Sequence, residues 1–318
     1  MNDIGASFVA AEAVPTPLDV ASRARLSVIM VVYMTGEALD QSLACVLADP
    51  QVDEFIVVDN GSDACEAAIL DDFASRHPQM RLVRGQGNVG FARGANLGAD
   101  AATGDVLIFL NPDAFLQSGC AQVLAKAVLD GGPLRLVGGR VLNADRTEQR
   151  GARRGEITPV AALLSLSGLT RRSKALRRYE VHWENEAAPA ALCPVPTISG
   201  AFFAIRRTGY LSLGGFDEGY FLHVEDIDLC WRVREAGGEV MFHPTAEVVH
   251  LGHTSRASPL KVELSKGLGL ARYFRKRAHG VGETLTAWLL WPLVVGAAVV
   301  RPLLWRLKAG SLETRRLG

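Results

Sequence analysis

The sequence predicts an α/β protein: a mostly parallel central sheet with helices on both faces. Apolar runs of strand length, rich in β-branched residues, recur at 26–33, 54–59 and 105–110. Segments of helical periodicity separate them. Two of the strands run straight into acids, at Asp59 and at Asn111-Pro112-Asp113. Alternation of this kind belongs to parallel strands joined by crossover helices, and such sheets bind ligands beyond the carboxyl ends of their strands.

The elements follow in order. "LSVIMVVY" (26–33) is a buried strand, "EALDQSLACVLAD" (37–49) a helix and "EFIVVD" (54–59) a second buried strand. "CEAAILDDFASRHP" (65–78) is a helix that Pro78 terminates. "RLVR" (81–84) is a short strand, "GFARGANLGADAATG" (90–104) a helix closing at Gly104, and "DVLIFL" (105–110) the next strand. From 130 to 195 the chain is irregular and Arg-rich, which predicts loops and short helices over one side of the sheet. Strand character returns in "TISGAFFAIRR" (197–207). A Gly-rich turn then leads into a helix that begins near Glu225 and stops at Gly237-Gly238. "EVMFHPTAEVVHLGH" (239–253) is strand-like and ends in His250 and His253.

The chain of 318 residues has a formal net charge of zero, so no global charge argues for nucleic acid. Its five cysteines lie apart, with neither a disulfide framework nor C-x-x-C spacing, as in a reducing, cytoplasmic setting. Residues 1–25 lack the layout of a secretory signal and read as a flexible tail. Near the other end, Thr284 to Val300 carries no charge and is flanked by basic residues, with Trp288, Trp291 and Trp305 at interfacial positions. Interfacial or re-entrant attachment at an anionic membrane surface is the favoured expectation; a buried core helix and a full span are the alternatives.

Four motifs carry chemistry. In "VVDNGS" (57–62), Asp59 is placed to accept the N3–H of a pyrimidine, with Asn60 and Ser62 bonding ribose or backbone; the bland reading is a helix cap. Gly85, Gly87 and Gly90 spell G-x-G-x-x-G, the fingerprint of an NAD-binding oxidoreductase, with Asp113 about 20 residues on as the ribose acid. That strand is very short, however, and not the first of the sheet. "NPD" (111–113) offers one hard oxygen ligand of the sort that holds Mg²⁺ or Mn²⁺ with substrate phosphate and water, or merely a Pro turn. "HVEDIDL" (223–229) sets Glu225, Asp226 and Asp228 at a helix mouth, more acid than dipole capping asks for and a setting for a general base. His250 is available as a second metal ligand.

Together, "VVDNGS", "GNVGFARGAN", "FLNPDAF", "SGAFFAIRR", "GGFDEGYFLHVEDIDLCWR" and "VVHLGHTS" resemble the family 2 inverting glycosyltransferases of GT-A fold, most of all the bacterial rhamnosyltransferase-like branch. The resemblance covers about 26–256 and implies a nucleotide-sugar half (26–129), an acceptor and catalytic half (130–256) and a basic, apolar helical region beyond (257–318). It implies a hexosyltransferase that moves a sugar, L-rhamnose from dTDP-rhamnose as the best expectation and a UDP-linked sugar as another. The acceptor would be a cell-surface polysaccharide or lipid-linked glycan at the cytoplasmic face of the inner membrane. Asp59 would bind the base, Asn88 and Arg93 would line the donor pocket, and Asn111 and Asp113 would occupy the D-x-D position. Asp113 and His250 would hold the metal, and Asp226 would be the base ahead of Glu225. Two departures stand out: Tyr33-Met34 replaces a Tyr-Asn-like step, and Asn111 replaces the first acid. A catalytically silent nucleotide- or glycan-binding relative is the runner-up.

Overall fold

The computed structural model describes residues 23–314, apart from 168, 253 and 255–257. The expected N-terminal tail and His253 therefore lie largely or wholly outside the described residues. The first half alternates as the sequence predicts: β1 (Leu26–Val32), α1 (Ala38–Leu47), β2 (Glu54–Asp59), α2 (Ala64–Arg76), β3 (Met80–Val83), α3 (Phe91–Ala101) and β4 (Val106–Leu110). There follow β5 (Ala114–Leu116), α4 (Cys120–Leu129), β6 (Arg135–Leu142), β7 (Arg153–Arg154), α5 (Pro159–Ser167) and α6 (Leu169–Arg172). After a 3-10 turn (Lys174–Tyr179) come β8 (Cys193–Pro194), β9 (Thr197–Ile198), β10 (Phe202–Arg206), α7 (Arg207–Ser212), α8 (Glu225–Glu235) and β11 (Glu239–His250). Two helices end the described chain, α9 (Pro259–Lys276) and α10 (Val281–Thr314).

The main sheet has nine strands, in the order β3-β2-β1-β4-β10-β6-β11-β5 with β8 also on β11. Six of them, β1 to β4 with β6 and β11, run in one direction; β10, β5 and β8 run against them. Because strand side chains alternate, β1 feeds two cores. Val28, Met30 and Val32 pack with α1, α2 and α4; Ile29 and Val31 pack with α3 and α8. Gly98 is what lets α3 sit so near the sheet, since a Cβ there would meet Ile29 Cγ2 at 2.5 Å.

One expectation is corrected. The stretch 130–195 is not only loops and short helices, because Arg135–Leu142 forms β6, inside the sheet between β10 and β11. Its Gly138-Gly139 pair hides the strand pattern and is required by packing. A Cβ at Gly138 would meet Ile198 at 2.5 Å, and one at Gly139 would meet Phe202 at 2.3 Å.

A third cluster, with Ile157, Tyr220, Val224, Ile227, Tyr273, Phe274 and Ala287, joins α9 and α10 to the mouth of α8. Within α10, Val281–Val300 is long and apolar enough to cross a membrane, and only 11% of that window is buried. Leu285, Leu289 and Leu293 are 58%, 74% and 65% exposed. The buried-core-helix alternative therefore does not describe this segment.

Candidate active site

The turn after β4 is held from several sides. Asn111 N donates to Ala201 O (2.9 Å) and Ala114 N to Asn111 O (3.1 Å). β5 then pairs with β11 so that Ala114 faces His250, and Leu251 N donates to Asp113 O (3.1 Å). Pairing of a three-residue strand with the end of β11 thus brings residues 113 and 250 together. His250 Nε2 lies 2.9 Å from Asp113 Oδ1, and both side chains are nearly buried. Thr254 Oγ1 donates to Asp113 Oδ2 (2.9 Å), and Asn111 Nδ2 approaches His250 Nε2 at 3.2 Å. Burial alone would raise the Asp113 carboxyl, but the hydrogen bond and charge of His250, with Thr254, outweigh it and hold the group below its ordinary value.

This pair suits a hard divalent cation. Bonds of about 2.1 Å in octahedral geometry space adjacent ligands about 3 Å apart, and Asp113 and His250 already stand at that separation. A carboxylate oxygen facing an imidazole nitrogen needs a cation or a proton between them. Among the described residues no group of three or more His, Cys, Asp or Glu gathers. The protein would supply two ligands, and phosphate oxygens and water the rest.

The second centre is the mouth of α8. Asp226 Oδ2 accepts from Arg154 Nη2 (2.6 Å) on β7 and from Gly200 N (3.1 Å). Glu225, its neighbour, is 6% exposed and its Oε2 has no hydrogen-bond partner among the described residues. Burial, then the Asp226 charge, push its carboxyl up to about 8. Asp228 is fully buried and structural, bonded to Tyr220 Oη, Arg232 and Lys276. The turn before the helix holds two successive non-glycine residues in the left-handed region, His223 (φ 67°) and Val224 (φ 75°). Burial first, then nearby cations, lower His223 to about 4, so it is neutral at pH 7. The two centres meet through one backbone step: Gly200 N bonds Asp226, and Ala201 O bonds the Asn111 amide.

At the end of β2, Asp59 Oδ1 accepts from Gly61 N (3.2 Å) and Ser62 N (2.9 Å), while Oδ2 lies 3.5 Å from Arg84 Nε. The cap of α2 is Asp63, not Asp59 or Ser62. Ser62 Oγ is buried without a hydrogen-bond partner among the described residues. Asn60, 2% exposed, spends its amide on the loop 88–90: Nδ2 donates to Asn88 Oδ1 and Gly90 O, and Oδ1 accepts from Val89 N. Asn88 Oδ1 also accepts from Gly90 N. Both Asn side chains thus shape the loop. Arg93 is exposed, 3.7 Å from Glu218. Met34 takes φ 48°, a conformation that Asn tolerates better, which gives a backbone reason for the residue more usual there.

The glycine fingerprint has a different use. In a dinucleotide site the N-terminus of the following helix faces pyrophosphate. Here Phe91 N, opening α3, donates instead to Phe221 O (2.8 Å), and a Cβ at Gly90 would meet that same oxygen at 2.5 Å. Gly90 lets the loop before α3 dock on the segment leading to Glu225, whereas Gly85 and Gly87 face open space. Arg154, Gln149, Thr254 and Gln86, whose Nε2 donates to Asp59 O (2.8 Å), escape the sequence reading. Each acts on a partner distant in sequence, and only the Arg-rich run "RGARRGE" hinted at one of them.

Comparison with known proteins bears on the fold and the family. The chain is 27% identical over 238 residues to an N-acetylglucosaminyl-diphospho-decaprenol L-rhamnosyltransferase of Mycobacterium tuberculosis, covering 71% of this chain and 75% of that protein. A structure of GalNAc-T7 with UDP, GalNAc and Mn²⁺ superposes with a TM-score of 0.58 at 16% identity, over 79% of this chain and 48% of that one. This chain thus spans about half of that structure. A mannosyltransferase of Pyrobaculum calidifontis in complex with GDP-Man and Mn²⁺ gives 0.54 at 17% identity, over 92% and 81%. These likenesses establish the GT-A-type fold. The family model for glycosyl transferase family 2 matches residues 27–211, more than half the chain. The chain belongs to that family and is a glycosyltransferase.

Proposed function

We propose that this glycosyltransferase inverts the anomeric centre as it moves L-rhamnose from dTDP-rhamnose to a hydroxyl of a growing cell-surface polysaccharide or lipid-linked glycan. The observation that carries the chemistry is the Gly200-Ala201 step, which ties Asp226 to the turn bearing Asp113. The donor assignment draws on the rhamnosyltransferase relative. Asp59 and the unpartnered hydroxyl of Ser62 receive the nucleoside, beside the loop shaped by Asn60 and Asn88, with Arg93 at the rim.

Asp113 and His250 would hold Mg²⁺ or Mn²⁺, which when bound acts as a Lewis acid towards the diphosphate leaving group. Asn111 keeps an amide where a second acid is usual, so it orients His250 and adds no charge. Asp226 takes the proton of the acceptor hydroxyl as that oxygen attacks the anomeric carbon. One displacement inverts the configuration. Arg154 and Gly200 aim the Asp226 carboxylate for this task. Burial and the Asp226 charge hold the Glu225 carboxyl above its ordinary value, which favours Asp226 over Glu225 as the proton acceptor.

The exposed Leu and Trp side chains of α10, next to the basic end of α9, would hold the enzyme on the cytoplasmic face of an anionic membrane. Fractionation tests that part: removal of 284–318 should release the protein, and a truncated chain still wholly membrane-bound would contradict it. Donor hydrolysis across a panel of dTDP-, UDP- and GDP-sugars tests the transfer. The fastest turnover should be with dTDP-rhamnose and should require a divalent ion; preference for another sugar would overturn the donor assignment.

A further inference from the structure

We infer that Gln149 is a positioning residue that fixes the tautomer of His250 and leaves its Nε2 available to the metal ion. The inference rests on the reading of Asp113 and His250 as metal ligands.

An imidazole binds a metal through a nitrogen lone pair, and which nitrogen is free depends on the hydrogen bond the other one makes. Gln149 Oε1 lies 2.6 Å from His250 Nδ1. The amide is not free to turn round, because its Nε2 donates to His250 O (3.2 Å) and to Asn143 Oδ1 (3.3 Å). With both N–H groups so used, only the carbonyl oxygen faces the ring, and it can only accept. Nδ1 therefore carries a hydrogen, and Nε2, which faces Asp113 Oδ1 and the Asn111 amide, is the nitrogen left for the proton or metal ion that must lie between ring and carboxylate.

The backbone at Gln149 is itself fixed. Its N donates to Val141 O (2.8 Å) and its O accepts from Ala152 N (3.0 Å), which locks the residue beside β6. β6 runs parallel to β11, the strand that ends at His250. Gln149 thus spans two neighbouring strands and bonds both the backbone and the ring of His250. Removal of such an outer partner lowers metal affinity by about 10–100-fold.

The test uses the full chain. Nitrogen-15 NMR of histidine, metal-free and above the ordinary histidine pKa, reads the His250 tautomer; calorimetry in the presence of dTDP reads Mn²⁺ affinity. In the wild type Nδ1 of His250 should carry hydrogen, whether or not Nε2 shares a proton with Asp113. Gln149→Leu should give a tautomer mixture and a Mn²⁺ affinity lower by about 10–100-fold, with metal-free dTDP affinity unchanged. Gln149→Glu, which still accepts from Nδ1–H but sets its second oxygen against His250 O, should keep the hydrogen on Nδ1 and recover part of the affinity. An unchanged tautomer in Gln149→Leu overturns the inference. So does unchanged Mn²⁺ affinity in that variant when His250→Ala has lost it. If His250→Ala also binds Mn²⁺ normally, the metal-ligand reading itself fails, and with it the role of Gln149 towards the ion.

Discussion

The two acidic centres are mounted in different ways. Asp113 sits on a turn between strands, with the backbone on either side paired to β10, β11 and the loop before β10. Glu225 and Asp226 instead follow His223 and Val224, both in the left-handed region, which costs of order 1–3 kcal/mol per residue. That turn is braced from outside. Phe221 O accepts from Phe91 N (2.8 Å) beside Gly90, and a Cβ at Gly269 of α9 would press on Val224 Cγ2 at 3.1 Å. Asp113, the proposed metal-side acid, rests on the sheet; Asp226, the proposed base, rests on strained backbone held by glycine contacts from the loop before α3 and from α9. The difference predicts that changes in α9 or the loop before α3 disturb Asp226 more than Asp113.

The comparison can be broken at several points. Asp226→Asn should lower turnover by about 10²–10⁴-fold, the range of a lost general base, while nucleotide affinity stays near that of the wild type. Retained turnover would remove Asp226 as base. Gly90→Ala should destabilise the fold by about 2 kcal/mol or more, because its φ is 84° and its Cβ would fall 2.5 Å from Phe221 O. Thermal unfolding reads that loss, and a stability equal to wild type would show that the brace is dispensable.

A smaller effect sharpens the contrast between adjacent acids. The folded-state value of Glu225 is about 8, above the ordinary carboxylate value. Between those two values the unfolded chain has released a proton that the folded chain keeps. Its contribution to stability is therefore full in acid and is lost as pH rises towards 8. Glu225→Gln should flatten this decline in denaturant titrations from pH 5 to 8. An unchanged slope would mean that Glu225 is not the group held protonated.

Much of the fold was legible in sequence because β1, β2 and β4 are apolar runs buried on both faces, whose type does not depend on remote partners. β6 was not. Its Gly138-Gly139 and flanking Arg135 and Arg140 break the pattern, and only Ile198, Phe202 and the pairing with β11 explain them. The motif acids could be read from their places at strand ends and a helix mouth. The partners could not: Gln149 lies 101 residues from His250 and Arg154 lies 72 from Asp226. Such contacts are created by strand pairing and leave no local signature. Asn60, expected to bond ribose or backbone, spends its amide on residues 88–90, and Asn88 lends its Oδ1 to the same loop. The glycine fingerprint misleads for a similar reason, since a turn that admits a phosphate also admits the Phe221 carbonyl.

The most direct test of the central claim is calorimetric titration of dTDP, with and without Mn²⁺ and with NAD as the control, into wild type, Asp113→Asn and Asp226→Asn. Binding of dTDP should be strengthened by Mn²⁺ in the wild type and in Asp226→Asn, with that gain lost in Asp113→Asn. Metal-independent dTDP binding unchanged by Asp113→Asn, or tight NAD binding without metal, would contradict the account.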